Sequence, residues 1–217
     1  MRSHGGLRQD QRGVHDVSRG QGPIRGPGAT GQARPHPAHL PEGEGLPTPD
    51  SRPLAPDLRA TAEDRTLVIK LGGSVGQEDT LPEDVTLLQQ LGARVVLVHG
   101  GGPLITTRLS RIGKETHFVD GLRHTDAETL DTVRMVLGGL VNGEVVARVG
   151  AAGGRAIGLS GSDDRLLEAV ARDPRLGLVG EVTAVNPNPL RLLLDAGYIV
   201  VVAPIAITDG GSFLNVN

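Results

Sequence analysis

The sequence predicts an α/β fold, a three-layer αβα sandwich around a mostly parallel sheet. From Thr66 onward, runs of β-branched residues alternate with segments whose apolar residues recur at helical spacing. Several of these runs stop at glycines, and a strand, a crossover helix and a second strand form the unit that parallel strands require. Because aromatic residues are almost absent, the core must be built from Val, Leu, Ile and Ala. A sheet covered by helices on both faces fits these observations.

The first 60 residues differ in composition from the rest. They hold 9 of the 15 prolines and 10 of the 32 glycines, with few large aliphatic residues. Such a segment buries too little apolar surface to offset its loss of chain entropy, so we expect a disordered extension over residues 1–60. An RNA-binding tail and a transit peptide are the alternatives, although acids nearly balance the arginines there. The folded lobe is expected over residues 61–217.

Within this lobe, the first half is predicted from turn and cap signals. The predicted elements are a strand "LVIKL" (67–71), a helix ending at Gly92, a strand "ARVVLVHG" (93–100), a helix beginning at Pro103, a turn at Asp120-Gly121 and a longer helix opened by Thr125 and Glu128 as a capping box. The longer helix carries an apolar stripe at Leu130, Val133, Leu137, Leu140, Val141 and Val145. Such a stripe is typical of a core or a subunit interface.

The second half repeats the pattern. The predicted elements are strands in "RAIGLSG" and "LVGEVTAV", a helix capped by Asn188, begun at Pro189 and ended at Gly197, a buried strand "YIVVVAPIA", and a hairpin about Asp209-Gly210-Gly211.

Composition excludes several function classes. Without cysteine there are no disulfides, thiolate metal sites or thiol nucleophiles. The net charge of −3 does not suggest a nucleic-acid partner. No apolar run reaches about 18 residues, so no membrane span is expected, and a cytoplasmic location is the default.

Two glycine turns follow the first two strands. Gly72-Gly73 and the run Gly100 to Gly102 should open on the same sheet edge, because the strands are parallel. Consecutive glycines let backbone N–H groups converge on an anion, so a phosphate held between the turns is the natural hypothesis. Lys70 ends the first strand in a chain with 20 arginines and only two lysines. Its ammonium group could stabilise a transferring phosphoryl group, although a solvent-exposed strand-edge lysine is the plainer interpretation.

Other polar residues point to a substrate. Arg123 could grip a carboxylate, or form an ordinary surface ion pair. Asn215 and Asn217 are two residues apart on a strand, so both amides should face one side. His99 lacks an evident carboxylate partner and is expected to be structural. Asp163 and Asp164 could border a magnesium phosphate site, but a helix cap is the expected role.

The motifs "IKLGGS", "VLVHGGGP", "GLRHTD", "MVLGGLVN", "AIGLSG" and "LNVN", in this order and spacing, resemble the N-acetylglutamate kinase branch of the amino acid kinase family. The resemblance implies phosphoryl transfer from ATP with Mg²⁺ to the side-chain carboxylate of N-acetyl-L-glutamate, in arginine biosynthesis. It implies that Lys70 is catalytic and that Gly72 and Gly73 bind phosphate. It further implies that the substrate contacts are Gly101, Gly102, Arg123, Asn215 and Asn217. A homodimer or higher homo-oligomer is expected.

Two departures from the family pattern matter. The sequence stops at Asn217, before the aspartate and the C-terminal nucleotide lobe of the family, so we expect the substrate-binding lobe, with little or no turnover by itself. In "SGSDD", relatives often have a lysine before the aspartate and a glycine after it. The alternatives are a kinase of carrier-protein-linked aminoadipate or glutamate, and a non-catalytic ligand-binding or dimerisation module.

Overall fold

The computed structural model describes residues 60–72 and 80–216. Its helices are α1 (Leu81–Gln90), α2 (Gly102–Arg111), α3 (Ala127–Arg134), α4 (Asn142–Ala151) and α5 (Asn188–Asp195). Its strands are β1 (Thr66–Leu71), β2 (Arg94–His99), β3 (Phe118–Val119), β4 (Leu122–Arg123), β5 (Ala156–Ser160), β6 (Leu167–Ala171), β7 (Gly180–Val185), β8 (Ile199–Ala203), β9 (Ile205–Ile207) and β10 (Phe213–Asn215). The predicted disordered extension, apart from residue 60, lies outside the described residues.

The central sheet has the order β1-β2-β8-β5, and each neighbouring pair is parallel. The central strands β2 and β8 are largely apolar runs because both of their faces are covered. On β2, Val95 and Leu97 face the layer that contains α1, α3 and α4. The alternate residues Val96 and Val98 face α5. The predicted three-layer α/β sandwich is therefore confirmed.

The structure contains a second four-stranded sheet, which the sequence did not distinguish from the first. Its order is β10-β9-β6-β7, with antiparallel pairing at both ends and a parallel pairing of Glu168 with Ile207 between β6 and β9. The predicted single strand "YIVVVAPIA" is wrong, because it divides at Pro204. Proline has no N–H to give to a ladder, and there the chain passes from the first sheet to the second.

The long helix is continuous but irregular. A π-helical segment, Met135–Val141, joins α3 to α4. Most of the predicted apolar stripe is buried in the core, whereas Leu140 is 47% exposed because the wider turn of the π segment rotates it away. The stripe is thus mainly core.

Two predicted helix caps are wrong. Helix α3 is capped by Asp126, whose carboxylate accepts a hydrogen bond of 2.9 Å from the Thr129 N–H. Thr125 instead donates its hydroxyl to the carbonyl of Arg123. Helix α5 begins at Asn188, and the Asn188 N–H donates to the side chain of Asn186. Helix α3 is thus capped by the residue after Thr125, whereas α5 begins one residue earlier than predicted and its N-cap residue, Pro187, makes no side-chain capping bond.

The turn at Asp120-Gly121 joins β3 to β4 as predicted, and the hairpin about Asp209-Gly210-Gly211 joins β9 to β10. Within the described ranges, no helix is long and apolar enough to cross a membrane.

Candidate functional site

The two strands that lead into the predicted glycine turns are neighbours in the central sheet. Strands β1 and β2 pair so that Lys70 lies beside Val98 and Leu71 beside His99. The Gly100 N–H donates to the Leu71 carbonyl over 3.3 Å, which brings the start of one turn against the other. Gly72 is exposed at this edge, and Gly73 lies outside the described residues.

Lys70 is exposed on the sheet face that α5 covers only in part. It lines a cavity of about 470 Å³ together with Val98, Gly100 and Pro204. Within residues 60–72 and 80–216, no side chain hydrogen-bonds or ion-pairs with its ammonium group. The lysine is therefore placed beside the second glycine turn with its charge unneutralised by described partners.

Gly101 and Gly102 form the junction between β2 and α2. A side chain at Gly101 would lie 2.6 Å from Leu137 in the π segment, so the close packing of the turn requires glycine here. Gly102 has open space around its Cα and is the first residue of α2. Gly101 is buried and Gly102 partly exposed, so Gly102 places accessible backbone at a helix N-terminus, where the partial positive charge favours anions.

Arg123 is the best-defined predicted site residue. It is 6% exposed, and its Nη2 donates to the Gly102 carbonyl at 3.0 Å and to Thr106 Oγ1 at 2.9 Å. The guanidinium lies 5.0 Å from the centre of the Phe118 ring. Its Nη1 is buried without a hydrogen-bond partner among the described residues, and burial lowers the Arg123 pKa. A fixed, desolvated cation with a free donor suits a carboxylate or phosphate oxygen.

Asn215 is buried rather than facing solvent at a sheet edge. Its Nδ2 donates to Thr125 Oγ1 at 3.2 Å, and that hydroxyl donates to the Arg123 carbonyl at 3.0 Å. Asn215 is thereby linked to the strand that carries Arg123, and its direct contact with a ligand stays a prediction. Asn217 lies outside the described residues.

The sequence analysis missed a second polar cluster behind the glycine turn. His99 is 1% exposed, with Nδ1 2.9 Å from the Gly100 carbonyl and Nε2 3.2 Å from Nδ2 of Asn142. Burial lowers the His99 pKa below its ordinary value, while the bond to Gly100 opposes this shift. Asn142 was quoted within "MVLGGLVN" without a role. Its signal was a polar residue three positions after a helical glycine pair.

The remaining candidates are structural. Asp163 Oδ2 accepts a hydrogen bond of 2.8 Å from the Ser160 N–H, so it holds the turn after β5. Among residues 60–72 and 80–216, no group of three His, Asp or Glu side chains is arranged to hold a metal ion.

Comparisons with known proteins agree with this geometry. A model of the amino acid kinase family matches residues 65–217. The acetylglutamate kinase of Halorhodospira halophila (strain DSM 244 / SL1) is 42% identical over 193 residues, covering 76% of this chain and 64% of the relative. The acetylglutamate kinase of Desulfitobacterium hafniense (strain DSM 10664 / DCB-2) is 43% identical over 169 residues, covering 70% of this chain and 57% of the relative.

Among solved structures, N-acetylglutamate synthase from Neisseria gonorrhoeae complexed with coenzyme A and N-acetyl-glutamate has a similar fold. It superposes with a TM-score of 0.63 and 26% identity, covering 74% of this chain and 38% of that one. The chain thus spans less than two thirds of the length of these curated relatives. Since the family model covers most of the chain and all of its glycine turns, the chain belongs to the amino acid kinase family.

Proposed function

We propose that this chain binds N-acetyl-L-glutamate and takes part in phosphorylation of its side-chain carboxylate by ATP. The observation that carries the proposal is the buried guanidinium of Arg123. Its Nη2 donates to the Gly102 carbonyl, and its Nη1 has no hydrogen-bond partner among the described residues. The α-carboxylate of the substrate would occupy that free donor. The identity to acetylglutamate kinases supports this substrate over the carrier-linked alternatives.

The chemistry requires charge neutralisation rather than a general base. An oxygen of the substrate's side-chain carboxylate forms a bond to the γ-phosphorus of ATP, and the bond from that phosphorus to the bridging oxygen breaks. ADP leaves with the electron pair, and the product is an acyl phosphate. Because the attacking carboxylate is already ionised at pH 7, no proton has to be removed.

Lys70 is proposed to bind the transferring phosphoryl group. Its charge lies at the carboxyl edge of β1, two residues before Gly72, and it lines the same cavity as Gly100. Gly72 and Gly73 would give backbone N–H groups to phosphate oxygens, and Gly101 and Gly102 to the substrate side. Asn215 and Asn217 are proposed to border the acetylglutamate.

The described residues fit phosphate better than they fit Mg²⁺. They supply a lysine, glycine turns and a helix N-terminus, but no carboxylate cluster. We therefore assign no magnesium ligands in this chain, and the ion would accompany ATP through its phosphates.

Calorimetry with N-acetyl-L-glutamate tests the substrate assignment. Arg123→Lys keeps the positive charge but loses the planar fork, so we expect at least tenfold weaker binding, or about 1.4 kcal/mol. Arg191→Lys, on the exposed surface of α5, is the matched control and should bind as the unsubstituted chain does. Equal affinities in both variants, or no binding by the unsubstituted chain, would contradict the proposal.

A second candidate is a ligand-binding module without turnover. It is supported by Arg123, whose buried guanidinium would account for binding of a carboxylate without requiring phosphoryl transfer. An ADP-release assay with N-acetyl-L-glutamate, ATP and Mg²⁺ separates the two. Release that disappears in Lys70→Met supports the kinase, whereas binding of acetylglutamate without release supports the module.

A further inference from the structure

Three separate sequence motifs meet at the buried His99. The histidine ends β2, Asn142 begins α4 directly after the π segment, and Gly158 lies within β5. A Cβ at Gly158 would collide with Oδ1 of Asn142, so only glycine leaves room for that amide. This cluster lies behind the turn formed by residues 100–102, which we call the second glycine turn.

The partners of Asn142 fix the orientation of its amide. Its Nδ2 lies 3.3 Å from the Leu159 carbonyl and 3.1 Å from the Val201 carbonyl. Both partners are acceptors, so the amide group that faces them must be the NH₂. The amide hydrogens therefore also face Nε2 of His99, at 3.2 Å.

This orientation selects one tautomer of His99. A hydrogen on Nε2 would point at the amide hydrogens of Asn142, so Nε2 must carry the lone pair. The single ring hydrogen is then on Nδ1, which donates to the Gly100 carbonyl over 2.9 Å. The Gly100 carbonyl can only accept a hydrogen bond, so its contact with Nδ1 requires the same tautomer, and Asn142 and Gly100 together make His99 a donor to the second glycine turn.

The bond to Gly100 has a consequence for the next amide. In a trans peptide the carbonyl and the following N–H point in opposite directions, and no cis peptide occurs in the described residues. Holding the Gly100 carbonyl towards His99 therefore aims the Gly101 N–H away from the ring. That N–H has no acceptor among the described residues, and it lies next to the N-terminus of α2.

We propose that His99 is a positioning residue which, in the tautomer that both Gly100 and Asn142 require, holds the Gly100 carbonyl so that the free Gly101 N–H is presented to an oxygen of the bound ligand. The inference deepens the proposed function and rests on it for the identity of that ligand. His99 itself does not touch the ligand.

Two amide substitutions separate this role from simple packing. In His99→Asn the side-chain nitrogen takes the place of Nδ1 and can still donate to Gly100. In His99→Gln the amide reaches the place of Nε2, so it keeps the contact with Asn142 and more of the volume but loses the bond to Gly100. If His99 positions Gly100, His99→Asn should behave more like the unsubstituted chain than His99→Gln does. If His99 only fills space, His99→Gln should be the closer of the two.

The main readout is ¹⁵N relaxation of Gly101 in the full-length labelled chain. We expect an order parameter near 0.85 for the unsubstituted chain and His99→Asn, and below about 0.6 for His99→Gln. We also expect N-acetyl-L-glutamate to bind about tenfold more weakly to His99→Gln than to His99→Asn. Equal order in the two variants, or greater order in His99→Gln, overturns the proposal.

A measurement on the unsubstituted chain applies even where a variant does not fold. The ¹⁵N chemical shifts of the ring should show hydrogen on Nδ1 and a lone pair on Nε2, and the reverse tautomer would overturn the inference. If the unsubstituted chain fails to bind N-acetyl-L-glutamate, the proposed function fails, while the tautomer and the order of Gly101 still decide the role of His99.

Discussion

At the scale of single residues, Asp164 occupies a backbone conformation that glycine adopts more easily. Its φ of 46° and ψ of 34° are left-handed. The side chain of Asn186 donates to the Asp164 carbonyl at 2.8 Å, a bond that does not depend on the aspartate side chain, and to the exposed Asp164 carboxylate at 3.2 Å. The departure seen in "SGSDD" therefore has a local conformational cost, which the short polar side chain of Asp reduces.

We expect Asp164→Gly to be at least as stable as the unsubstituted chain, and Asp164→Val to be less stable than the glycine variant by about 1–2 kcal/mol. The physical reason is the clash between a β-branched side chain and the left-handed backbone. Urea denaturation measures the difference. Ala184, exposed on β7, is the matched control, because valine should be more stable than glycine in a strand. The same order of stability at both positions would contradict the explanation.

At the scale of elements, the start of α3 is joined to the segment after α2 by Lys114. Its Nζ contacts both oxygens of Asp126, at 2.8 and 2.7 Å, and Glu128 at 2.7 Å. Lys114 is one of only two lysines in the chain. Since its role is structural, the scarcity of lysine does not by itself make Lys70 catalytic, and the position of Lys70 at the glycine turns carries that argument.

This helix start should make stability depend on acid. Lys114 and the Thr129 N–H hold the pKa of Asp126 far below its usual range, and Lys114 is the larger cause. A carboxyl whose pKa is lowered by folding contributes stability above its unfolded pKa, about 3.9, and loses it as the pH falls towards the folded pKa. The contribution is modest because the Asp126 side chain is about half exposed.

Asp126→Asn keeps a capping oxygen but removes the charge, and Asp126→Ala removes both. At pH 7 we expect the alanine variant to lose about 1 kcal/mol and the asparagine variant less. As the pH falls from 4 to 2, the difference between the unsubstituted chain and Asp126→Asn should shrink. Urea denaturation at several pH values measures this, with Asp131→Asn in the middle of α3 as the control. If the difference in unfolding free energy between the unsubstituted chain and Asp126→Asn stayed constant from pH 4 to pH 2, the charge of Asp126 would not stabilise the helix start.

At the scale of the whole molecule, the sequence predicted the buried parallel sheet well and the second sheet poorly. A strand covered on both faces is a continuous apolar run, so β2 and β8 are visible in the sequence. The division of the last apolar run at Pro204 is not visible in the sequence, because it depends on which strands pair with β8 and β9 in the folded chain. Lys70 and Arg123 could be singled out from the sequence because each cation lies close to a glycine turn, and their roles stay predictions.

The buried polar contacts around the candidate site were also hard to predict, because they too depend on tertiary packing. The contact of His99 with Asn142 joins residues 43 positions apart, and that of Asn215 with Thr125 joins residues 90 positions apart. Such pairs follow from tertiary packing, and local patterns carry no signal for them. Thr125 was accordingly mistaken for a cap, although its hydroxyl is bonded to a different part of the fold.

Thr125 joins several parts of the molecule and gives a test of the assembly. It is fully buried, its N–H donates to the Leu176 carbonyl, and its own carbonyl accepts from the Leu178 N–H. Its hydroxyl accepts from Asn215 of β10 and donates to the carbonyl of Arg123 in β4. One side chain therefore connects the second sheet to the β3–β4 hairpin.

Thr125→Val keeps the shape but removes the hydroxyl, which leaves the buried Nδ2 of Asn215 without its acceptor. We expect a loss of about 1–3 kcal/mol in urea denaturation with an unchanged m-value. Thr132→Val in α3 is the control: that residue is also buried, but its hydroxyl donates only to the Glu128 carbonyl of its own helix. We expect Thr132→Val to lose less unfolding free energy, and this loss measures the effect of removing a buried hydroxyl that does not link separate elements. Equal losses at both positions would mean that the connection between sheet and hairpin does not depend on Thr125.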